Sequence, residues 1–370
     1  MRFIGSKLLL LEDIERFLEE NIQSNDNHVF CDIFSGSGAV ARYFKNQYSV
    51  ISNDLLYFSY VLQKGTIELN KIPKFSNVEI NDKFKSPLIE NGSNYESNHN
   101  SNLGNIIYFF ENTPLNTIQK EYNISNNELF IQNNYTPFNG TDRMYFTAEI
   151  GKRIDLIRII MEKWFNEKII NSDEYFYLLT LLIETVPFYS NISGVYGAYL
   201  KHWDKRALKP FKFAEIKVTD NNLENKAYNE DAHTLIKKIK GDILYLDPPY
   251  NHRQYPPNYH VLETIAKYDY PEIKGVSGMR DYKTQISKFC RKNEVKDALD
   301  DIIENSEFKH IVMSYSTDGI LNKEDIKEIF IKHGNEKTFK MAQPIKYRKY
   351  KSKQKQSKKD LHELLFFISK

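Results

Sequence analysis

The sequence predicts a doubly wound, mostly parallel α/β fold interrupted by a long, mainly helical insertion. Three observations carry this. An apolar, strand-forming run, Val29-Phe30-Cys31-Asp32-Ile33-Phe34, breaks at Ser35-Gly36-Ser37-Gly38 and resumes as helix-like Ala39-Val40-Ala41-Arg42-Tyr43-Phe44. A second strand, Ser49-Val50-Ile51-Ser52, follows at once and ends in Asn53-Asp54, which completes a β-loop-α-β opening. From Gly38 to the Asp247 that ends the next strong strand there are 209 positions, too many for the few βα units expected between them. A separate element must fill that interval.

The remaining elements follow in order. Before the first strand, Leu10, Ile14, Phe17 and Leu18 recur at helical spacing, with Ser6 as the expected cap. After Asp54 the alternation stops. Residues 91–105 hold six Asn, three Ser and two Gly, which is loop chemistry. One helix is expected over about 148–165, with Ile150, Ile154, Ile157, Met161 and Trp164 on one face. Another is expected over about 173–186, capped by Ser172 and stopped at Pro187. Strand-like sequence returns at Ile243–Leu246, at His310–Ser314 and at Leu361–Ile368. The last two strands are expected to form an antiparallel hairpin around a basic loop. The implied division is 1–69, 70–225 and 226–370.

Composition excludes several classes. Of 370 residues 41% are apolar, which excludes a disordered chain. No apolar run approaches the ~18 residues of a membrane span. Glu12, Asp13, Glu15, Glu19 and Glu20 interrupt any signal-peptide core near the start. The two cysteines, Cys31 and Cys290, make neither a disulfide framework nor a zinc site, and the nine histidines lack ligand spacing. A cytoplasmic protein without metal or membrane contact is expected. Net charge is +2, but residues 340–370 alone carry ten Lys/Arg against Asp360 and Glu363. A basic block on a mildly acidic body suits a polyanion or a solvated loop.

Two motifs carry chemistry. Gly36 and Gly38, at a strand-to-helix turn, let backbone amides approach a ligand, and Asp54 at the end of the second strand suits a ribose diol. An ordinary tight turn with an exposed acid shares that pattern. Asp247-Pro248-Pro249-Tyr250 is more specific. Its prolines remove two backbone donors, and it offers a carboxylate, carbonyls and an aromatic ring at the carboxyl end of a strand. Those suit a planar exocyclic amine: acceptors for its hydrogens and a face for its ring.

In these motifs and their order the chain resembles the Dam-type adenine-specific DNA methyltransferases, and within them the FokI-type branch. Phe3-Ile4-Gly5-Ser6-Lys7 stands for the N-terminal aromatic-x-Gly-Ser-Lys motif, Asp32 to Gly38 for the methyl-donor loop and Asp247 to Tyr250 for the catalytic loop. Asn251-His252-Arg253-Gln254-Tyr255, Tyr259-His260, Glu263, Ser193 to Lys201 and Ser314-Tyr315-Ser316 are similar to the FokI-type branch. The resemblance covers most of the chain outside 70–140.

The resemblance implies a Rossmann-like methyltransferase sheet and S-adenosylmethionine as donor. Phe3, Lys7, Phe34, Gly36, Gly38, Asp54 and Asp231 then stand where the family binds its cofactor, with Lys7 toward the donor's carboxylate. Asp247, Pro248, Pro249 and Tyr250 are the implied catalytic residues. The implied reaction methylates the exocyclic nitrogen of an adenine flipped out of duplex DNA. The expected enzyme is a monomer, set in a restriction-modification system beside a cognate endonuclease.

Residues 70–225 are the implied target-recognition region. Within it Lys201, Lys205, Arg206, Lys209 and Lys212 interleave with Tyr196, Tyr199, His202 and Trp203. That mixture suits phosphate and base contact, or a solvated face over an aromatic core. Arg253 and the basic loop, with Lys346, Arg348, Lys349 and Lys351, are further expected DNA contacts. An RNA adenine methyltransferase and a DNA-binding subunit with a decayed site are the alternatives.

Overall fold

Val29, Phe30 and Cys31 begin the first strand because large apolar and β-branched side chains fit a pleated, buried surface. A computed structural model describes residues 3–22, 28–85, 101–346 and 361–370. Among them are strands β1 (Val29–Asp32), β2 (Ser49–Asn53), β3 (Lys226–Tyr228), β4 (Lys240–Leu246), β5 (Ile273–Lys274), β6 (Met279–Arg280), β7 (Glu307–Ser316), β8 (Lys340–Met341), β9 (Ile345–Lys346) and β10 (His362–Ser369). The residues form two compact units. One comprises 3–63, 219–256 and 283–370; the other comprises 64–218 and 257–282.

The first unit holds an eight-stranded sheet in the order β3-β2-β1-β4-β7-β10-β8, with β9 beside β10. Pairs β2–β3, β1–β2, β1–β4 and β4–β7 are parallel, and β10 runs antiparallel to β7, β8 and β9. The doubly wound expectation and the antiparallel final pair are both met. Side chains alternate between two apolar layers, as a period of two requires. Phe30, Ile243, Tyr245, Val312, Leu365 and Phe367 pack with Leu10 and with Ile14, Phe17 and Leu18 of the first helix, Leu11–Asn21. Cys31, Leu244, Leu246, Ile311, Met313, Leu364 and Phe366 face the other way. They pack against helices Ala232–Leu235, Val295–Glu304 and Lys323–His333. The chain turns from β1 to β2 on one side and reaches β4 on the other. The β1/β4 boundary is therefore the switch point where such sheets open a crevice.

One local expectation fails. Ser6 does not cap the first helix, which starts at Leu11 with no side-chain cap. Residues 3–10 are instead turns, held by Ser6 N–H to the Phe3 carbonyl and Leu10 N–H to the Lys7 carbonyl. They are committed to the site described below.

The second unit is mainly helical. Thr147 caps Ala148–Asn166 through the Ile150 amide. Helix Ser172–Thr185 is capped one residue earlier than expected. The Asn171 side chain accepts from the Glu174 amide, and Glu174 accepts in return from Asn171 N–H. Pro187 lies in the 3₁₀ turn Val186–Phe188 that follows. The expected 91–105 loop lies outside the described residues up to 100. From Ser101 the chain is helical to Asn112, because Leu103, Ile106, Phe109 and Phe110 bury one face.

The unit's return segment, 257–282, has no counterpart in the spacing argument. Helix Ala148–Asn166 holds it. Buried Arg158 donates to the Ile265 carbonyl at 2.9 Å and, at the edge of hydrogen-bond range, to that of Ala266 at 3.5 Å. Buried Asp155 accepts from Tyr268 Oη at 2.6 Å and from the Ile131 and Gln132 amides at 2.8 Å each. Burial pushes the Asp155 carboxyl up to about 7, against the pull of those three bonds. Asp155→Ala strands three donors in the interior at once. A loss of at least about 2 kcal/mol is expected in chemical denaturation, and an unchanged midpoint contradicts this account.

Candidate active site

The site begins with a steric interlock. Gly36 has φ +52°, and a Cβ built there would lie 2.7 Å from the Phe3 ring. Gly5 has φ +76°, and its Cβ would lie 3.1 Å from the Tyr255 hydroxyl. Only glycine meets both demands, left-handed backbone and close approach. Phe3 in turn stacks on Tyr255, with ring centroids 5.8 Å apart and an interplanar angle of 29°. The N-terminal segment, the glycine loop and the run after the prolines thus meet at one place.

Lys7 lies at the centre of a buried ion cluster. Its Nζ is 2.8 Å from Asp247 Oδ1 and 3.1 Å from Glu363 Oε1, and Lys7 and Glu363 are each only 3% exposed. A weaker contact runs to the Gly5 carbonyl at 3.4 Å. Ser314 Oγ donates to Glu363 at 2.5 Å. Burial alone would lower the Lys7 pKa, but the two carboxylates outweigh it and hold the ammonium well above its ordinary value. Asp247 is pushed up to about 6. Burial is the main cause and Glu363 adds to it, while Lys7 opposes both.

Beside this cluster is a cavity lined by residues from all three motifs. Asp54 forms one wall, its carboxylate oriented by the Gly36 and Leu56 amides at 2.8 Å each. Buried Asn53 fastens that wall, donating to the Ile33 and Glu230 carbonyls at 3.1 Å and accepting from Glu230 N–H at 3.0 Å. Asp32 also lines the cavity. One oxygen accepts from Ser35 Oγ at 3.0 Å, whereas the other is buried with no hydrogen-bond partner in the protein. Burial pushes the Asp32 carboxyl up to about 8, with Asp247 adding to the rise. Opposite stand Phe34 and Phe289, edge to face at 5.2 Å, with His233 stacked on Phe289 and Asp231 capping the His233 amide at 3.0 Å.

Of the residues expected at the cofactor, Phe3, Lys7, Phe34, Gly36, Asp54 and Asp231 line this one cavity. Gly38 does not. Its φ of +75° caps helix Ala39–Phe44, and its amide closes a turn on the Ser35 carbonyl at 2.7 Å. Asp247 and Pro249 line the cavity, whereas Pro248 and Tyr250 are not part of its lining. Tyr250 packs edge to face on Tyr315 at 6.4 Å, and its carbonyl accepts the Ile320 amide. Among the expected DNA contacts, Lys201, Lys205, Arg206, Arg253 and Lys346 are exposed. Arg206 is engaged by Asp204 in a bidentate pair, Nε and Nη2 donating to its two oxygens at 3.1 and 2.7 Å. Arg348, Lys349 and Lys351 lie outside the described residues. Tyr196 of the basic-aromatic stretch is core, 2% exposed and bonded to Ser190.

A family model for D12 class N6 adenine-specific DNA methyltransferases matches residues 3–329. The chain belongs to this D12 class. Relatives agree. It is 49% identical over its whole length to the Type II methyltransferase M.FokI of Planomicrobium okeanokoites, and 39% identical to the modification methylase StsI of Streptococcus sanguinis. It spans about half of each, 53% and 52% of their lengths. It is also 36% identical to the Type II methyltransferase M.NlaIII of Neisseria lactamica, matching 95% of this chain and 93% of that one. The family resemblance read from the motifs therefore holds.

Several residues of the ion cluster and the cavity in this D12 chain escaped the motif reading. Glu363 carried a visible signal: an acid entering an otherwise apolar strand, His362–Ser369. Asn53 and Asp32 were quoted only as parts of motifs. Gln254 stood only within the run after the prolines, and Ser287 and Phe289 carried no local signal. They meet because Gln254 and Ser287 exchange two hydrogen bonds, at 2.8 and 3.0 Å, across 33 residues. Among the described residues no His/Cys/Asp/Glu group could hold a metal ion, and no helix is long and apolar enough to cross a membrane.

Removing Lys7 tests the cluster. In Lys7→Met the Asp247 and Glu363 carboxylates lose their shared cation, so the folded-state carboxyl pKa rises further above its unfolded value. The stability deficit is then largest in alkaline solution and shrinks as pH falls through that raised pKa. A loss of about 3–5 kcal/mol is expected at pH 8. Denaturation midpoints measured from pH 5 to 8 give the answer; a pH-independent deficit contradicts the cluster.

Proposed function

We infer that this chain transfers a methyl group from S-adenosylmethionine to the exocyclic amino nitrogen of adenine in a specific duplex DNA sequence. The setting is cytoplasmic, as the modification activity of a restriction-modification system. One observation carries the reading: the glycine loop, the second-strand acid and the Asp-Pro-Pro loop line a single cavity.

The residues fit the donor. Asp54, fixed by two backbone amides, suits a ribose diol. Phe34 and Phe289 offer apolar faces to an adenine ring, with Asp231 at its polar edge. The unpartnered buried oxygen of Asp32 suits an ammonium group at the methionine end. Gly36 keeps the wall thin where a side chain would strike Phe3. When bound, S-adenosylmethionine supplies a sulfonium methyl that reacts with an in-line nucleophile. An ammonium has three hydrogens, and those of Lys7 face Asp247, Glu363 and the Gly5 carbonyl. We therefore assign Lys7 to the catalytic carboxylate in place of the donor's carboxylate.

The chain's part in the chemistry is to prepare a poor nucleophile. The lone pair of an adenine amine is delocalised into its ring. Asp247 and the Pro248 carbonyl accept its two hydrogens and favour a more tetrahedral nitrogen, which frees electron density for attack. Tyr250, held on Tyr315, offers the face for the flipped base. The helical unit is the proposed recognition region. Exposed Lys201, Lys205, Arg253 and Lys346 are proposed phosphate contacts, with Arg206 joining them on release from Asp204.

The test is transfer of labelled methyl from S-adenosylmethionine to unmodified DNA and RNA, followed by sequencing of modified bases. N6-methyladenine in one recurring DNA sequence is expected, and labelled RNA alone overturns the reading. Asp247→Ala should cut transfer by at least ~10²-fold and leave most DNA binding, because one preorganised acceptor at the reacting amine is gone. Near wild-type turnover contradicts the assigned role. Asp54→Ala should act on the donor instead, raising its dissociation constant by about tenfold through loss of charge-assisted hydrogen bonds. Titration calorimetry reads this directly, and an unchanged constant removes Asp54 from the donor site.

A further inference from the structure

The one buried acid of the cavity region that no motif explains is Glu363. It enters the last strand at its first turn inward, and β10 pairs it with Ser316 at the carboxyl end of β7. Antiparallel pairing thus carries a carboxylate to the end of the sheet where β4 delivers Asp247. The side chain is 3% exposed and reaches Lys7 at 3.1 Å and Ser314 at 2.5 Å. A second carboxylate in this position is costly unless something requires it. One ammonium and one carboxylate, Lys7 and Asp247, already balance; Glu363 leaves the cluster one negative charge in excess.

We propose that Glu363 is a positioning residue for methyl transfer: it fixes Lys7 against Asp247 and sets a second negative charge behind the catalytic carboxylate. This rests on the reading of Asp247 as the acceptor at the adenine amine. Two consequences follow from Coulomb's law. Lys7 by itself would hold Asp247 a weak acceptor, as a cation beside a carboxylate does. Glu363 shares that cation and repels negative charge on Asp247, so Asp247 keeps more affinity for hydrogen, and its carboxyl stands at about 6. That matters to the reaction. As the nitrogen–carbon bond forms and the sulfur–carbon bond breaks, the amine becomes cationic and must lose one proton. The Asp247 carboxylate is the adjacent acceptor, and a raised affinity makes it a better one.

The groups facing Asp247 come from several elements, and each acts on its titration. Lys7 faces it from the N-terminal turns, Glu363 from β10, Asp32 from β1, and Tyr245 and Tyr250 from β4 and the loop after it. Of these, burial holds the two tyrosine hydroxyls above their ordinary range, so neither changes charge near neutrality. Asp32 titrates above Asp247, at about 8. The variants are therefore chosen to alter Glu363 and Lys7 and leave Asp32 in place.

The experiment reads Asp247 without turnover. Full-length protein labelled at aspartate carboxyl carbons is titrated by NMR from pH 4 to 9, with Asp247→Asn assigning the signal. Glu363→Gln, which keeps the shape and removes the charge, should move the Asp247 midpoint down by on the order of one unit. Lys7→Met should move it up. If Glu363→Gln does not fold, Glu363→Asp withdraws the carboxylate from Lys7 and should give the same direction with a smaller shift. In parallel, the pH profile of methyl transfer to unmodified bacterial genomic DNA should show its acid limb moving with the NMR midpoint, and its maximal rate falling in Glu363→Gln. A midpoint that stays in place in the Glu363 variant overturns the proposal. So does a midpoint that shifts while limb and rate stay fixed. No transfer to DNA by the wild-type chain overturns the functional reading instead, and that result is distinguishable from either.

Discussion

Burying one ammonium organises this end of the sheet. Lys7 is 3% exposed, so each of its hydrogens needs an acceptor from the protein. Two acceptors come from distant parts of the sequence, Asp247 after β4 and Glu363 in β10, and the third is the nearby Gly5 carbonyl. Three structural requirements follow. Residues 3–10 must turn back on themselves, which is why Ser6 is denied the role of helix cap. The last strand must run antiparallel, so that its first residues meet the carboxyl ends of β4 and β7. Helix Leu11–Asn21 must pack on the Leu365 and Phe367 face, which delivers Lys7 to the same end. No one of these follows from local propensity.

The glycine loop is constrained in a complementary way. Phe3 sits where a Gly36 side chain would be, and Asp54 takes the Gly36 amide. The loop is therefore shaped from outside by an aromatic ring and from beneath by a carboxylate. Asn53 adds the third hold, bridging the ends of β1 and the 230 segment. The wall is fastened by directed hydrogen bonds at the Ser35, Gly36 and Gly38 amides, and fixed polar groups are what the proposed donor site needs.

Legibility in the sequence tracked the range of the interaction. The β-loop-α-β opening, the strand into Asp247 and helix Ala148–Asn166 were readable because each is decided by residues a few positions apart. Six of the seven expected cofactor residues line one cavity for the same reason: motifs sit at strand ends, and strand ends share an edge. What escaped was long-range. The return of 257–282 to the helical unit depends on Arg158 and Asp155 finding the 265–268 backbone and Tyr268 more than a hundred residues later. Glu363 was an odd acid in an apolar strand, but its partner lies at Lys7, near the other end of the chain. The sequence leaves Tyr196 between base contact and aromatic core. It stands among basic residues, and only its neighbours in three dimensions show that it is core.

Three perturbed aspartates, Asp155 and Asp32 buried and Asp247 partly so, show why a perturbed acid is not by itself a functional residue. Asp155 is raised to about 7 by burial, yet three donors from its own unit satisfy it, and it holds two helices and Tyr268 together. Its environment is closed and its role structural. Asp32 is raised to about 8 by the same cause, but it lines the cavity and keeps one oxygen without a partner. In the proposed function that oxygen is the one offered to the donor's ammonium group. Asp247 is raised less, to about 6, because Lys7 opposes burial and Glu363 together. It is the only one of the three that a cation and an anion, Lys7 and Glu363, push in opposite directions on top of burial. Such a balance can be tipped by a small change nearby, such as an amine gaining positive charge, whereas burial cannot respond. Perturbation identifies candidates; the proposed function draws on the unmet oxygen of Asp32 and the opposed charges at Asp247, and Asp155 has neither.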